Sequence, residues 1–295
     1  MSGKMMLLVN PRAGKGGSRA ALGPVIEVFC AAGWQPTVMM TQARGDATRL
    51  AREYAADFDR IVCLGGDGTL SETVAGLVTL PEAPPLGYIP MGTANDVATT
   101  LEIPRDPVRA AERVVTGKAH PLDVGLMNST DYFTYISAFG AFTEVSYETR
   151  QESKQALGHL AYLLEGLAAL PKVTPTPAHV EWDGGELEDD YVFCGVTNSI
   201  SVAGMVKLDP GVVELSDGLF EVILVKNPRN IVDLGTVVRN ILSRNYEDPH
   251  VKVLHSAKVH FRCDTPVKWT RDGEAGGVHD DVTLENLHHA IQIIL

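Results

Sequence analysis

The stretch Ile61-Val62-Cys63-Leu64-Gly65-Gly66-Asp67-Gly68-Thr69-Leu70-Ser71-Glu72 decides the fold. An apolar β-type run meets three glycines within four positions and then a helical pattern. Glycine lets the backbone approach a ligand closely and reach conformations closed to other residues. A helix that starts there aims its first N–H groups at the same point, which suits a phosphate. Asp67 lies inside that anion cradle. A carboxylate beside phosphates repels them unless a cation or a donor hydroxyl intervenes, so its placement points to Mg²⁺ or substrate handling. A tight strand–helix turn with no ligand is the bland alternative, and it does not explain Asp67.

Working outward, strand and helix signals alternate over the first 125 residues. Leu7–Val9 is a short apolar strand, and Ser18–Ala32 has helical spacing with Leu22, Val25, Ile26 and Phe29 on one face. Strands follow at Pro36–Thr41, Arg60–Leu64 and Leu86–Ile89. Helices are expected from Asp46, as N-cap, to about Ala56, and at Leu70–Val78, Thr93–Leu101 and Pro107–Thr116. This rhythm predicts an α/β fold with a doubly wound parallel sheet. After about Asp123 strand-like runs dominate: Tyr132–Ala138, His179–Trp182, Tyr191–Thr197, Leu219–Val225, Lys252–His255, Lys258–Arg262 and Val267–Trp269. Helical insertions fall at about Ser153–Leu170 and Asn230–Leu242. The expected second domain is therefore a mainly antiparallel β-sandwich over 126–289. The first domain is 1–125, to which the apolar strand at 290–295 returns.

Two further loops repeat the logic of the first. Gly92-Thr93-Ala94-Asn95-Asp96 follows the Leu86–Ile89 strand with a glycine, a hydroxyl, an amide and an acid. Asn10-Pro11-Arg12-Ala13-Gly14-Lys15-Gly16-Gly17-Ser18 follows the Leu7–Val9 strand with glycines and two cations. The second of these is not a Walker loop, because Gly16 follows Gly14-Lys15 where Ser or Thr would stand. All three lie at strand C-termini of a parallel sheet, the edge where such sheets bind ligands.

The 295 residues carry a formal net charge of −12, with 45% hydrophobic and 21% charged residues. That is the composition of a globular protein large enough for a sizeable core. The acidic balance argues against nucleic acid and against bulk attraction to an anionic membrane. No apolar run approaches the roughly 18 residues of a membrane span. A strand-like run follows Lys4 at once with no signal peptide, so the expected location is cytoplasmic, extending to the inner face of the membrane. Cys30, Cys63, Cys194 and Cys263 show no metal spacing, and Cys63 and Cys194 read as small core residues. Asn128-Ser129-Thr130 matches a glycosylation sequon by chance in such a chain. The acidic stretch Glu181–Asp190 reads as a solvated hairpin around Asp183-Gly184-Gly185. Leu157, Leu160, Ala161, Leu164, Leu167 and Ala168 share a helical face that reads as core in preference to a lipid-facing surface.

Val9-Asn10-Pro11 with Gly14–Gly17, then Gly65–Thr69 and Gly92–Asp96, resemble the diacylglycerol-kinase catalytic-domain family. This group includes bacterial lipid kinases and sphingosine kinases. The resemblance continues at Leu157–Tyr162, Leu215–Val222 and Asp272-Gly273-Glu274, and so covers nearly the whole chain. NAD kinases and phosphofructokinases share the glycine–aspartate loop but not the later motifs. The resemblance implies an NAD kinase/phosphofructokinase-like first domain and an ATP- and Mg²⁺-dependent kinase acting on a lipid hydroxyl. The lipid would be met at the membrane surface by transient, peripheral contact. It implies nucleotide contacts at Asn10, Thr41, Gly65, Gly66, Asp67, Gly68, Thr69, Gly92, Thr93 and Asn95. Glu274 is the implied catalytic base, with Asp272 holding the metal–phosphate network or the base, and Asp67 handling Mg²⁺. A structural Mg²⁺ is implied at Glu214, Asp217 and the backbone carbonyl of Leu219. Val97 and Thr99 stand where the family commonly has an aromatic and a basic residue. By residues alone, Asp272-Gly273 and Asp217-Gly218 also read as plain turns and Asp96 as an N-cap. A kinase for a soluble hydroxyl, such as a nicotinamide dinucleotide or sugar phosphate, and a nucleotide-binding regulator without turnover are the alternatives. A homodimer is left open.

Overall fold

The central parallel strands of the N-terminal half carry unbroken apolar runs because both of their faces are covered. Such strands lose the polar/apolar alternation of a one-sided sheet. In the computed structural model, Met5–Val9 and Ile61–Leu64 are fully buried. The structure describes residues 3–141, 174–198, 201–202, 206–207, 215–243 and 249–295. The helix expected at Ser153–Leu170, with the Leu157–Tyr162 motif, and the Glu214 ligand lie outside the described residues.

The chain divides into two compact units, 1–124 with 289–295 and 125–288. In the first, strands β1 (Lys4–Val9), β2 (Gln35–Met40), β3 (Arg60–Gly65) and β4 (Leu86–Pro90) pair in the order β4-β3-β1-β2. All three pairings are parallel, with Leu7 opposite both Val38 and Val62, and Cys63 opposite Tyr88. β2 forms the edge and is largely exposed. The connecting helices are α1 (Gly17–Ala31), α2 (Asp46–Tyr54), α3 (Asp67–Leu77), α4 (Asp96–Thr100) and α5 (Pro107–Thr116). α1 packs with α5, and α2 with α3.

Two expectations fail here for local reasons. Asp46 is not an N-cap. Gly45, at φ 82°, takes that position, and the Asp46 carboxylate accepts instead from the Gln42 and Ala43 N–H groups. The helix expected over Thr93–Leu101 is only the five residues of α4, because Gly92–Asn95 forms a loop that Asn95 closes in the left-handed region. α5, in contrast, begins as its sequence dictates. Asp106 caps it by accepting from Arg109 N at 2.9 Å, and Pro107 occupies the first helical position.

The second unit is β-rich. It contains β5 (Ala119–Met127, from Gly125 onward), β6 (Asp131–Phe133), β7 (Ile136–Gly140), β8 (Thr176–Trp182) and β9 (Gly185–Thr197). The short pair β10 (Ser201–Val202) and β11 (Val206–Lys207) follows, then β12 (Phe220–Lys226), helix α6 (Ile231–Ser243) and β13 (Val251–Ser256). β14 (Lys258–Arg271) and β15 (Glu274–Ile294) close the chain. The pairings among these strands are antiparallel. The β8–β9 hairpin turns at Asp183-Gly184 as expected, although Glu181 in it is paired with Arg262 and His179 and so is not merely solvated. Phe139, Phe261 and Trp269 meet edge-to-face at the centre of the core, with Phe139 and Trp269 centroids 4.9 Å apart. Cys63 and Cys194 are fully buried, and burial pushes the Cys63 thiol up to about 12, so both are core residues and not nucleophiles.

Two long strands were not legible in the sequence. The run Tyr132–Ala138 is two strands, broken at Thr134-Tyr135. Lys258–Arg271 is one continuous strand where two were expected. β15 runs from Glu274, and near its end Ile293 pairs parallel with Leu86 of β4.

Candidate active site

The parallel register of the first unit brings its strand ends level, and the loops that follow are tied by hydrogen bonds. Asn10 N donates to Leu64 O at 3.0 Å, Thr41 N to Val9 O at 2.9 Å, and Met91 N to Gly65 O at 2.7 Å. Side chains then tie the loops to one another. Asn10 Nδ2 donates to Thr69 Oγ1 at 3.0 Å, while its Oδ1 accepts from Arg12 N. Asn95 N donates to Asp67 Oδ2 at 2.8 Å. Asn95 closes its own loop, with Oδ1 accepting from Gly92 N at 2.8 Å and Nδ2 donating to Gly92 O at 2.9 Å. Thus Asn10, Gly65, Gly66, Asp67, Thr69, Gly92 and Asn95 form one network. The two asparagine side chains hold the loops to one another. Thr41 stands at the end of β2, 9% exposed, and Thr93 is exposed on the Gly92–Asn95 loop.

The glycines divide by what a side chain would meet. A Cβ on Gly65 would lie 2.6 Å from Thr69 Cβ, and one on Gly92 would lie 2.7 Å from Asn95 Oδ1 and 2.9 Å from Gly66 Cα. These glycines are required by loop-on-loop packing. Gly68 is different: a Cβ there meets nothing within 4 Å. It occupies the first turn of α3, whose N-cap, Gly66, offers no side chain to the orphan N–H groups. A glycine with no packing reason, at an uncapped helix start, fits a phosphate that approaches the backbone closely.

Asp96 is not the N-cap of α4; Asn95 holds that position. The Asp96 side chain is 5% exposed, and burial pushes its carboxyl up to about 6, partly opposed by the Arg105 cation. Arg105 reaches the same loop, its Nη2 at 3.3 Å from both Ala94 O and Thr99 Oγ1. Sequence reading did not single out Arg105, which sits nine residues beyond the motif acid.

In the second unit Asp272 and Gly273 form a two-residue hairpin turn, with φ of 47° and 76°, and Arg271 is paired with Glu274. Glu274 is exposed at the start of β15. Asp272 is 6% exposed. Its oxygens accept from three successive backbone N–H groups, Thr134 at 2.7 Å, Tyr135 at 3.0 Å and Ile136 at 3.1 Å.

The Asp217-Gly218 turn is closed by Leu219 N donating to Asp217 Oδ1 at 2.8 Å, with Gly218 at φ 81°. Two residues beyond Leu219, Glu221 is 1% exposed and neither carboxylate oxygen has a hydrogen-bond donor. Among the described residues the nearest basic side chain is His255, whose Nε2 stands 3.9 Å from Oε1. Burial, with the nearby Asp217 charge, pushes the Glu221 carboxyl up to about 8. A buried carboxylate left without donors beside an exposed one is the donor set of a hard cation, so these residues fit Mg²⁺. The sequence offered no sign of Glu221 beyond its place after the Asp-Gly-Leu turn. Among the described residues no helix is long and apolar enough to cross a membrane.

Residues 4–127 match the family described as the diacylglycerol kinase catalytic domain, and residues 139–295 the YegS C-terminal NAD kinase beta sandwich-like domain. The chain is similar to a diacylglycerol kinase of Bacillus subtilis (strain 168), 34% identical over 291 residues, which cover 98% of this chain and 95% of that one. A diacylglycerol kinase of Staphylococcus aureus (strain MRSA252) is 34% identical over 94% of this chain and 88% of its own. A crystal structure of a diacylglycerol kinase from Bacillus anthracis str. Sterne has the same fold, with a TM-score of 0.77 at 24% identity over 99% of this chain and 96% of that one. Another from that organism reaches 0.83 at 27% identity, covering 99% and 94%. With both halves matched in order and the glycine–aspartate loops in place, the chain belongs to the diacylglycerol kinase catalytic-domain family and is a kinase.

Proposed function

We propose that this protein is an ATP- and Mg²⁺-dependent lipid kinase that transfers the γ-phosphoryl group to the hydroxyl of diacylglycerol or a related lipid. The observation that carries the reading is the bonded set of loops around Gly68, in a chain of this family. The Asp67–Asn95 and Asn10–Thr69 bonds hold three strand-end loops together and leave the start of α3 uncapped. On this reading 1–125 with 290–295 is the nucleotide domain, built on a doubly wound parallel sheet, and 126–289 is the acceptor domain.

Phosphoryl transfer asks a protein mainly for positioning and charge neutralisation. The N–H groups at Gly66–Gly68 bind phosphate oxygens, and Thr41 and Thr93 complete the nucleotide contacts. Glu274 takes the proton of the acceptor hydroxyl as general base. Mg²⁺, when bound, supplies charge neutralisation at the phosphates, where Asp67 would hold it. A second, structural Mg²⁺ would be held by Glu214, Asp217 and the Leu219 carbonyl, a set to which the buried Glu221 adds an acceptor. Contact with the bilayer is transient and peripheral, on its cytoplasmic face.

The test is transfer of label from γ-labelled ATP, with Mg²⁺, to mixed micelles of diacylglycerol, monoacylglycerol, phosphatidylglycerol, ceramide or sphingosine, with NAD in parallel. Label in a lipid product is expected. Label found only in a water-soluble product would overturn the lipid assignment in favour of a soluble acceptor. Glu274→Gln is expected to lower kcat at least ~10²-fold while ATP affinity stays within about twofold, the range for loss of a general base.

A further inference from the structure

The turn that carries Glu274 is anchored at both of its first two residues to one segment of chain, 131–136. Arg271 reaches it with Nη2 at 2.9 Å from Asp131 Oδ1 and Nη1 at 3.1 Å from Tyr132 O. Asp272 reaches it four times: three N–H groups of Thr134, Tyr135 and Ile136 converge on its carboxylate, and its own N donates to Ile136 O at 2.9 Å. These three residues form a strap that spans the break between β6 and β7 and the first residue of β7. The other side of the strap is also held. Thr197 Oγ1 donates to Tyr135 O at 2.6 Å, and Asn198 N donates to the same oxygen at 3.0 Å. A Cβ on Gly273 would lie 3.4 Å from the Tyr135 hydroxyl, so that ring end stands against the turn itself.

An ionised carboxylate only accepts, and it has about four lone-pair directions. Three are taken here by backbone donors held in place, Thr134 and Tyr135 in the β6–β7 break and Ile136 at the start of β7. Bonds of this charge-assisted kind are the strong ones. The residue is also buried and lies in the left-handed region that lets a two-residue hairpin turn form. A cation ligand needs a lone pair it can reach, and Asp272 keeps at most one in a residue 6% exposed; a triphosphate needs a donor, which an ionised carboxylate lacks.

We infer that Asp272 is a positioning residue: it clamps the Thr134–Ile136 strap to the Asp272-Gly273 turn and so fixes where Glu274 stands, without ligating the metal of the nucleotide. The inference rests on the reading of Glu274 as the base. It gives the first acid of the Asp-Gly-Glu triplet a mechanical task and leaves the proton chemistry to Glu274 alone.

The test uses Asp272→Asn in the full chain, since Asn keeps the left-handed turn but points N–H groups at the strap donors. Three readouts separate the outcomes. Amide hydrogen exchange at Thr134, Tyr135 and Ile136 is expected to quicken at least ~10-fold in the variant, as the clamp opens locally. Calorimetric affinity for Mg²⁺-ATP and the Mg²⁺ half-saturation are expected to stay within about twofold, and kcat to fall about 10²-fold, the cost of a roughly 1 Å misplacement. Unchanged exchange would overturn the clamp. A Mg²⁺ half-saturation raised about tenfold or more, with kcat recovering at high Mg²⁺, would make Asp272 a ligand instead. Quicker exchange with kcat intact would reduce it to a purely structural acid. If the wild-type protein turns over none of the lipids, the proposed function fails separately, and exchange and Mg²⁺-ATP affinity still judge the clamp. Should the variant not fold, the wild-type protein serves: slow exchange at 134–136, unaltered by Mg²⁺-ATP, is expected, and exchange that changes at those three amides when Mg²⁺-ATP binds would count against the inference.

Discussion

The protein's own packing does not explain why residue 68 is glycine. A methyl group there would touch nothing, and glycine in a helix costs roughly 1 kcal/mol against alanine. Gly68→Ala is therefore expected to raise the stability of the nucleotide-free protein by up to about 1 kcal/mol while weakening ATP binding at least ~10-fold. Thermal melts and calorimetry with ATP check the two halves. Loss of stability with ATP affinity intact would show that the glycine serves the turn. Asp96 makes a related trade. Its carboxyl is raised to about 6 by burial, so the folded state holds its proton more tightly than the unfolded chain does. The stabilisation belonging to the protonated form is complete below about pH 4 and is lost as pH rises to about 6. Asp96→Asn removes that loss. The variant is expected to be more stable than wild type at pH 7 by at most about 3 kcal/mol, with the difference vanishing near pH 4. Denaturation midpoints at the two pH values measure it, and an equal difference at both would assign the effect to packing and not to charge.

At the scale of elements, helix starts do two kinds of work. α5 is capped by the chain itself, through Asp106 and Pro107. α3 is not: its N-cap, Gly66, has no side chain to cap it, and its start is the proposed phosphate site. The contrast yields a clean control. Asp106→Ala is expected to cost about 1 kcal/mol, visible as a lowered Tm, with ATP affinity unchanged. A change in ATP affinity would mean that α5 supports the site. The β14–β15 hairpin shows the same division between support and chemistry: its turn is secured by Arg271 and Asp272, and the residue it presents is Glu274.

For the molecule as a whole, the chain divides into two compact units, and the second carries an electrostatic cost at the buried Glu221. A cation held by the Asp217 turn and met by Glu221 offsets that cost only when bound, so stability should depend on metal concentration. Millimolar Mg²⁺ is expected to raise the Tm of the wild-type protein. Asp217→Ala should abolish the shift, and Glu221→Gln should raise the metal-free Tm while shrinking the shift. A Tm indifferent to Mg²⁺ would remove the metal from this turn.

Much of the first unit was legible because its determinants are short in range. Apolar runs, glycine loops and helix spacing lie within a dozen residues of each other, and parallel strands buried on both faces advertise themselves by unbroken hydrophobicity. The same reasoning marked Gly65–Thr69 and Gly92–Asn95 as candidate phosphate loops, whereas Asp272–Glu274 by its residues alone reads as a plain turn and is singled out only by the family resemblance. It failed where partners are distant. The first two-thirds of β15 has little apolar pattern and is a strand because β14 pairs with it. Asn10 and Thr69 are 59 positions apart, and the bonds of Asp272 to its strap span 136 to 138. Sequence alone determined which loops hold glycines and acids, since backbone freedom and charge are properties of the residues themselves. Tertiary structure alone decided which of those groups are used up inside the protein and which stay open to a ligand, because burial and hydrogen-bond partners exist only once the distant segments meet.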